Sequence, residues 1–254
     1  MKHSNVFGTA PAAAILALVV LAGCTTPSIP ANVIRDDAHS VGVSLAYSSD
    51  SQRLASGGAE GTIRLWRMPQ ATALTHWQAH AGAVQGLAFL RQDRMLLSVG
   101  WDGSIATWNI GGDGDGKLLA RRQSVGPIID VAVDDASNVL VTGHGDGTVR
   151  LWRLTELALE REWPLHAGAV RAVAYHAGSR RIGASAGRTF HWRTDEQTPQ
   201  ALPPPPTDAR TLAFSPDGHW LTGGGWFRLF QWRLPDGELT TLPTDHHGLI
   251  PSIQ

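Results

Sequence analysis

Short stretches of alternating hydrophobic and polar or small residues, separated by glycine-containing turns, fill most of this chain. Val84–Phe89 and Val170–Tyr175 alternate in this way, as strands with one covered face do. Asp-Gly or Glu-Gly pairs follow predicted strands at 60–61, 102–103 and 146–147, and such a pair between two strands is a strong hairpin signal. The pattern therefore predicts an all-β chain of short antiparallel strands.

The strand pattern repeats five times, and each repeat ends at a tryptophan. Successive tryptophans are 42, 44, 40 and 40 residues apart; they are Trp66, Trp108, Trp152, Trp192 and Trp232. A period of about 40 residues with four strands is typical of a β-propeller, in which sheets called blades surround a common axis. We expect five complete units and the first strand of a sixth, at about 39–78, 79–121, 122–164, 165–202, 206–243 and 244–254.

These units resemble WD40 repeats, and the resemblance covers about residues 39–254. In that family a blade carries a His before its first strand, a Ser or Thr on the second, an Asp in the hairpin turn and a Trp on the third. The second unit matches all four positions, with His80, Ser98, Asp102 and Trp108. The resemblance implies that Asp102 accepts a hydrogen bond from His80 and that His80 binds Ser98. Ser98 then reaches the Trp108 indole N–H, which needs an acceptor when buried.

The other units match this network only in part. The matching residues are His39, Ser56 and Trp66 in the first unit, Thr142, Asp146 and Trp152 in the third, His166 and Trp192 in the fourth, and Trp232 in the fifth. Glu60 stands at the Asp position of the first unit, and the third unit has no His before its first strand. The period and the strand order carry the fold prediction, whereas the hydrogen-bond network is incomplete in these units.

Five units and one further strand are an unusual number for a ring, because propellers of the family it resembles usually close with about seven blades. Three interpretations stay open. The chain is a truncated form of a longer protein, it closes as a five-bladed ring, or it leaves an open arc that a partner completes. Proteins normally cover exposed sheet edges, and this favours truncation.

The first residues have the composition of a secretory signal peptide: a basic start, an apolar stretch from Ala10 to Leu21, and small residues before Cys24. The apolar stretch is shorter than the about 20 residues that span a bilayer. Leu21-Ala22-Gly23-Cys24 resembles the bacterial lipobox at all four positions. The resemblance implies cleavage after residue 23 and a lipid anchor of two or three acyl chains on Cys24. An ordinary signal peptide with an accidental cysteine is the alternative.

We therefore expect a signal peptide at 1–23 and a lipidated tether at 24–38, in which prolines are spaced among small residues. Residues 31–35 as an outer strand of the domain are the alternative for part of the tether. By the sorting rule of such lipoproteins, Thr25 after the cysteine favours the outer membrane, facing the periplasm, in an organism with two membranes.

The net charge is −1 and the arginines are dispersed, so the chain lacks the basic field with which proteins collect nucleic acid. Cys24 is the single cysteine, and the eleven histidines have no metal-ligand spacing. No Gly-x-Ser-x-Gly elbow is present. The sequence thus assigns no catalytic residue, cofactor or metal. An enzyme built from side chains that converge in a propeller channel stays an alternative.

Trp101 is the first candidate for partner binding. It directly precedes Asp102 in a hairpin turn, where packing gives little reason for a tryptophan; in WD40 proteins this position lies on the top face. Trp226 occupies a comparable turn in the fifth unit, and the alternative is that both rings fold back onto neighbouring turns. The sequence favours a lipid-anchored envelope scaffold that binds a protein or peptide partner without catalysis. The alternatives are a truncated fragment of a longer propeller or fusion protein and the channel-centred enzyme.

Overall fold

The computed structural model describes residue 39 and residues 41–111, 116–234 and 236–242. Every described residue belongs to one compact unit, residues 34–254. The predicted signal peptide at 1–23, Cys24 with its tether at 24–38, and the partial unit at 244–254 lie outside the described residues. Within the described ranges, no helix has the length and apolar character needed to cross a membrane.

The described residues form five antiparallel sheets of four strands, and neighbours in the chain are neighbours in each sheet. Blade 1 consists of β1 (Gly42–Tyr47), β2 (Arg53–Gly58), β3 (Thr62–Arg67) and β4 (Thr72–Gln78). Blade 2 consists of β5 (Val84–Leu90), β6 (Met95–Gly100), β7 (Ser104–Asn109) and β8 (Lys117–Gln123). Blade 3 consists of β9 (Ile128–Asp134), β10 (Val139–His144), β11 (Thr148–Arg153) and β12 (Ala158–Pro164). Blade 4 consists of β13 (Ala172–His176), β14 (Arg181–Ser185), β15 (Thr189–Arg193) and β16 (Gln200–Ala201). Blade 5 consists of β17 (Thr211–Phe214), β18 (Trp220–Gly224), β19 (Leu229–Arg233) and β20 (Glu238–Leu242).

The all-β prediction of five four-stranded units is confirmed. One predicted boundary is wrong, because β8 crosses the limit of 121 that the sequence suggested for the second unit. The strand continues because its pairing with β7 runs to the end, where Ser104 lies opposite Gln123.

The hydrophobic core lies between successive blades. Ile63 and Leu65 of blade 1 pack against Leu96 and Trp108 of blade 2 in one buried cluster. The same arrangement continues at the next three interfaces, in clusters that contain Trp152, Trp192 and Trp232. We call the face of a blade that carries its tryptophan the front. In blades 2 to 5 the front packs on the preceding blade, so both faces of the sheets in blades 2 to 4 are covered by neighbours.

The first strand of every blade is innermost, and successive first strands pack side by side. Together they line an opening of about 350 Å³. β1 and β17 have no comparable packing against each other. Leu45 of β1 pairs with Ser56, and Leu212 of β17 pairs with Gly223, which are equivalent front positions. Leu45 is 68% exposed and Leu212 is 7% exposed, so the front of blade 1 is uncovered at its innermost strand.

Candidate partner-binding face

The network predicted for blade 2 is brought together by the fold. The Trp108 indole N–H donates to Ser98 Oγ over 2.8 Å, and Ser98 Oγ lies 2.7 Å from His80 Nε2. On the other side of the ring, His80 Nδ1 lies 3.2 Å from Asp102 Oδ1. A neutral His80 with its proton on Nδ1 satisfies all these bonds, since it accepts from Ser98 and donates toward Asp102.

Sequence reasoning missed a further member of this network, Ser104. Its Oγ lies 2.7 Å from His80 Nδ1 and donates to Asp102 Oδ1 over 2.8 Å. Burial lowers the pKa of His80, although the charge of Asp102 acts against the shift. Burial alone would raise the pKa of Asp102, but hydrogen bonds from Ala81 and Ser104 lower it, and the charge interaction with His80 adds to this effect. Asp102 therefore stays ionised while it holds the turn and the neighbouring loop together.

Blade 1 has the same arrangement, with Glu60 at the position of the aspartate. The Trp66 indole donates to Ser56 Oγ over 2.8 Å, and His39 Nε2 lies 3.0 Å from the same oxygen. His39 Nδ1 is hydrogen-bonded to Glu60. Burial opposes ionisation of Glu60, yet hydrogen bonds from Thr62 and His39 lower the pKa of its carboxyl to about 2.

The third unit has no histidine before its first strand, but a histidine on its second strand joins the network. Trp152 donates to Thr142 Oγ1 over 2.8 Å, and this oxygen lies 2.7 Å from His144 Nε2. His144 is fully buried and reaches Thr142 from the same strand, because residues two apart share a strand face. The two-residue spacing of Thr142 and His144 was the sequence signal that could have identified this contact. Burial lowers the pKa of His144 to about 4, and the positive charge of Arg150 adds to the shift.

The predicted network of blade 4 is wrong. His166 lies exposed in a turn, and no hydrogen bond joins it to the described residues. Trp192 is fully buried, but its indole nitrogen has no hydrogen-bond partner within the described ranges. The reason is Ala184, which stands where blades 1 to 3 have a hydroxyl: Ile182 pairs with Trp192, and Ala184 follows two residues later.

In blade 5 a backbone carbonyl oxygen accepts the hydrogen bond of the buried indole. Gly223 stands at the hydroxyl position, since Leu221 pairs with Trp232. The Trp232 indole instead donates to the carbonyl oxygen of Pro203 over 3.0 Å. The proline-rich segment that begins at this residue thus takes part in the core of the blade.

The turns between second and third strands define one end of the propeller, which we call the top face; they are residues 59–61, 101–103, 145–147, 186–188 and 225–228. Trp101 lies here and is 49% exposed. Its backbone N–H donates to the Ala83 carbonyl over 2.9 Å, and the next residue, Asp102, accepts from the Ala81 N–H over 2.9 Å. The hydrogen bonds of Asp102 therefore fix the turn that presents this indole.

Trp226 lies on the top face of blade 5 and is 46% exposed. It contacts Phe227, with ring centroids 5.9 Å apart, and Phe227 is 51% exposed. Phe227 has a φ of 62°, a left-handed conformation that bulky residues rarely adopt. Sequence reasoning singled out Trp226 but missed Phe227, although two adjacent aromatic residues in a predicted turn were a signal.

Asp130 is the acidic residue of the inner opening among the described residues that line it. Its Oδ2 accepts from the Val173 backbone N–H over 2.8 Å, which ties blade 3 to blade 4. Although the side chain is partly accessible from the opening, burial raises its pKa to about 6. Within the described ranges, no three His, Cys, Asp or Glu side chains converge as a metal site would require.

Comparison with known families adds to this geometry. The sequence matches the family described as WD domain, G-beta repeat over residues 32–67, 71–109 and 116–153. The matched segments cover less than half of the chain. They contain β1 to β3, β4 to β7 and β8 to β11, respectively. The five four-stranded sheets and this partial match are consistent with a β-propeller of WD40 type.

Known relatives are similar to this chain over a small part of their own length. Cilia- and flagella-associated protein 52 of Macaca fascicularis is 30% identical over 137 residues, which are 47% of this chain and 22% of the relative. Apoptotic protease-activating factor 1 of Rattus norvegicus is 28% identical over 195 residues, 74% of this chain and 15% of the relative. The chain thus spans less than a quarter of either relative.

A solved structure shows the same fold. The crystal structure of the computationally designed Ika8 protein superposes with a TM-score of 0.69 and 23% identity. The superposition covers 84% of this chain and 64% of the designed protein. At this identity the likeness concerns the fold alone.

Proposed function

We propose that the protein is a lipid-anchored scaffold of the cell envelope that binds a protein or peptide partner through the top face, without catalysis. The observation that carries the proposal is Trp101, an indole half exposed on a turn whose backbone is held by hydrogen bonds. Rigid aromatic side chains are the usual anchors of protein interfaces. A fixed turn presents such an anchor with little loss of conformational entropy on binding.

The fold and the family support binding as the activity. WD40 domains generally bind protein partners, and the five blades here form a scaffold on which the turns of the top face can vary. Exclusion of nucleic acid stays a prediction, based on the net charge of −1.

The lipid anchor is proposed from Leu21-Ala22-Gly23-Cys24. Two or three acyl chains on Cys24 hold a protein stably on a bilayer, whereas a single chain gives only marginal binding. We place the propeller on the outer membrane, facing the periplasm, in an organism with two membranes. The anchor then confines the top face to partners within reach of that surface.

Two variants of the full chain, expressed in a bacterial host, test the proposal. Trp101→Ala should lower capture of cross-linked envelope proteins by at least about fivefold, because loss of a central aromatic anchor costs more than 1 kcal/mol. Leu159→Ala is the control, since Leu159 is equally exposed at 48% on the outer strand β12. Cys24→Ser should move the chain from the membrane to the soluble fraction. Capture that is unchanged by Trp101→Ala refutes the binding site, and a Cys24→Ser chain that stays with the membrane refutes the anchor.

A further inference from the structure

Four arginines lie in neighbouring loops and turns on the top face of blades 4 and 5. We call them the arginine patch; they are Arg171, Arg188, Arg210 and Arg228, and all are exposed. Two occupy turns between second and third strands, and two occupy the loops that lead into β13 and β17. These four segments belong to the same end of neighbouring blades.

Hydrogen bonds connect the four segments. The Arg171 N–H donates to the Ser185 carbonyl over 2.7 Å, and Ser185 Oγ donates to the Ala209 carbonyl over 2.8 Å. The Arg210 N–H, one residue further, donates to the Gly224 carbonyl over 2.6 Å. The turn after Gly224 is closed by the bond from the Gly225 N–H to the Arg228 carbonyl, at 3.0 Å. The arginine patch is therefore built on one connected stretch of backbone.

The arginine patch has no ion pair within the part of the chain that the structure describes. None of its four side chains makes an ion pair or hydrogen bond with a described residue, whereas Arg150 of blade 3 pairs with both Asp146 and Glu162. The cause lies in the turns. Blades 1 to 3 have Glu60, Asp102 and Asp146 there, and the turns of blades 4 and 5 contain no acidic residue. Asp208, in the loop before β17, is the acidic residue beside the patch.

An aromatic pair lies inside the same surface. Trp226 and Phe227 directly precede Arg228, and both are about half exposed. Guanidinium groups bind carboxylates in a bidentate manner, and exposed aromatic rings next to them provide apolar anchors. The combination fits a chain that alternates carboxylates with a large apolar side chain.

Building on the proposed function, we propose that the arginine patch with Trp226 and Phe227 binds an acidic peptide segment of the protein partner, one that carries Asp or Glu around an aromatic or aliphatic residue. A peptide fits better than nucleic acid. Nucleic-acid sites spread positive charge along many phosphates, but the top face of blades 1 to 3 carries Glu60, Asp102 and Asp146 instead. A polyanion that extended beyond blades 4 and 5 would meet these carboxylates.

Fluorescence polarisation with the purified full chain in mild detergent tests this proposal. The probe is a labelled twelve-residue peptide of Asp and Glu with one central Phe. Two further probes serve for comparison: the same peptide with Asn and Gln in place of Asp and Glu, and a single-stranded oligonucleotide of equal charge. The acidic peptide should bind at least about tenfold more tightly than the amide peptide, a difference of about 1.4 kcal/mol. Raising the salt concentration should weaken this binding, because the charges are exposed.

Two double variants locate the site. Arg188→Gln with Arg210→Gln should weaken acidic-peptide binding at least about tenfold, as expected when charge-assisted hydrogen bonds are lost. Arg67→Gln with Arg161→Gln removes the same charge from exposed positions outside the patch and should leave binding within about twofold. Trp226→Ala should also weaken binding of the acidic peptide. Thermal unfolding of each variant confirms that the fold is retained.

Three results would overturn the proposal: equal binding of the two peptides, equal losses in the two double variants, or tighter binding of the oligonucleotide than of the acidic peptide. Envelope-partner capture separates this inference from the proposed function. Capture that falls with Trp101→Ala but persists in the Arg188→Gln, Arg210→Gln variant retains the scaffold and refutes the arginine patch. Binding of the acidic peptide, together with partner capture that does not depend on Trp101, retains the arginine patch and refutes the proposed binding site at Trp101.

Discussion

At the scale of residues, the atom that accepts the buried indole N–H distinguishes the five blades. Blades 1 to 3 place a Ser or Thr hydroxyl on the second strand, blade 4 has Ala184 there, and blade 5 uses the Pro203 carbonyl. A buried donor without an acceptor costs free energy that the folded state must offset elsewhere. Blade 4 therefore lacks an acceptor for its buried indole among the described residues, although its tryptophan fits the sequence period.

Two opposite substitutions measure the value of this acceptor. Ser98→Ala should lower the free energy of unfolding by about 1–3 kcal/mol, because it leaves the Trp108 N–H and His80 Nε2 without their partner in the core. Ala184→Ser should raise it by up to about 1 kcal/mol, because it offers the Trp192 N–H a hydroxyl at the position used in blades 1 to 3. Chemical denaturation measures both changes. Equal effects of the same sign would contradict the role of the hydroxyl.

The buried His144 gives the fold a defined response to acid. Its pKa is about 4 in the folded chain against an ordinary value of 6.5, so the folded state disfavours its protonation. The stabilisation is complete above pH 6.5 and is lost as the pH falls toward 4, because the unfolded chain takes up the proton first. The full effect is on the order of 3 kcal/mol.

Comparison of the parent chain with His144→Gln isolates this effect. The slope of unfolding free energy against pH between 6.5 and 4 should be smaller in the variant. Asp130 acts with the opposite sign, since its raised pKa makes the fold more stable as the pH falls from about 6, but its contribution is common to both chains and cancels. Identical slopes would show that His144 is already protonated or already solvated in the folded protein.

At the scale of elements, the sequence predicts strands and their order well because both depend on local signals. Alternation, Asp-Gly turns and the tryptophan period indicated five four-stranded units, and these are present. Side-chain partners were harder to predict. Ser104 joins His80 through a turn geometry that a consensus pattern does not contain, and His144 replaces a missing residue from a different strand. His166 matches the position of the network histidine in the sequence, but in the structure it is exposed and lies outside the hydrogen-bond network.

The candidate face was predictable in outline for a similar reason. A tryptophan in a hairpin turn was visible as Trp101, and its exposure follows from the turn. The arginine patch was not visible, because its four members are spread over nearly sixty positions, from 171 to 228. They meet only when the two blades lie side by side and their loops exchange hydrogen bonds. Sequence distance hid a charge cluster that the fold creates.

At the scale of the whole molecule, the uncovered front of blade 1 separates two residues that are otherwise equivalent. Leu212→Ala should lower the free energy of unfolding by about 2–5 kcal/mol, because Leu212 is packed between blades. Leu45→Ala should change it by less than about 0.5 kcal/mol, because Leu45 is already in solvent. Denaturation of the full chain measures both. Equal losses would show that another surface covers Leu45 in solution.

The bond from Trp232 to the Pro203 carbonyl has a consequence for how blade 5 tolerates mutation. A substitution cannot remove a main-chain oxygen, so blade 5 does not need a hydroxyl on β18 to accept the hydrogen bond of the Trp232 indole. The constraint becomes one of volume: a Cβ on Gly223 would lie 3.0 Å from the Trp232 ring. A side chain at this position is therefore limited by its size in blade 5, whereas in blades 1 to 3 it must supply a hydroxyl.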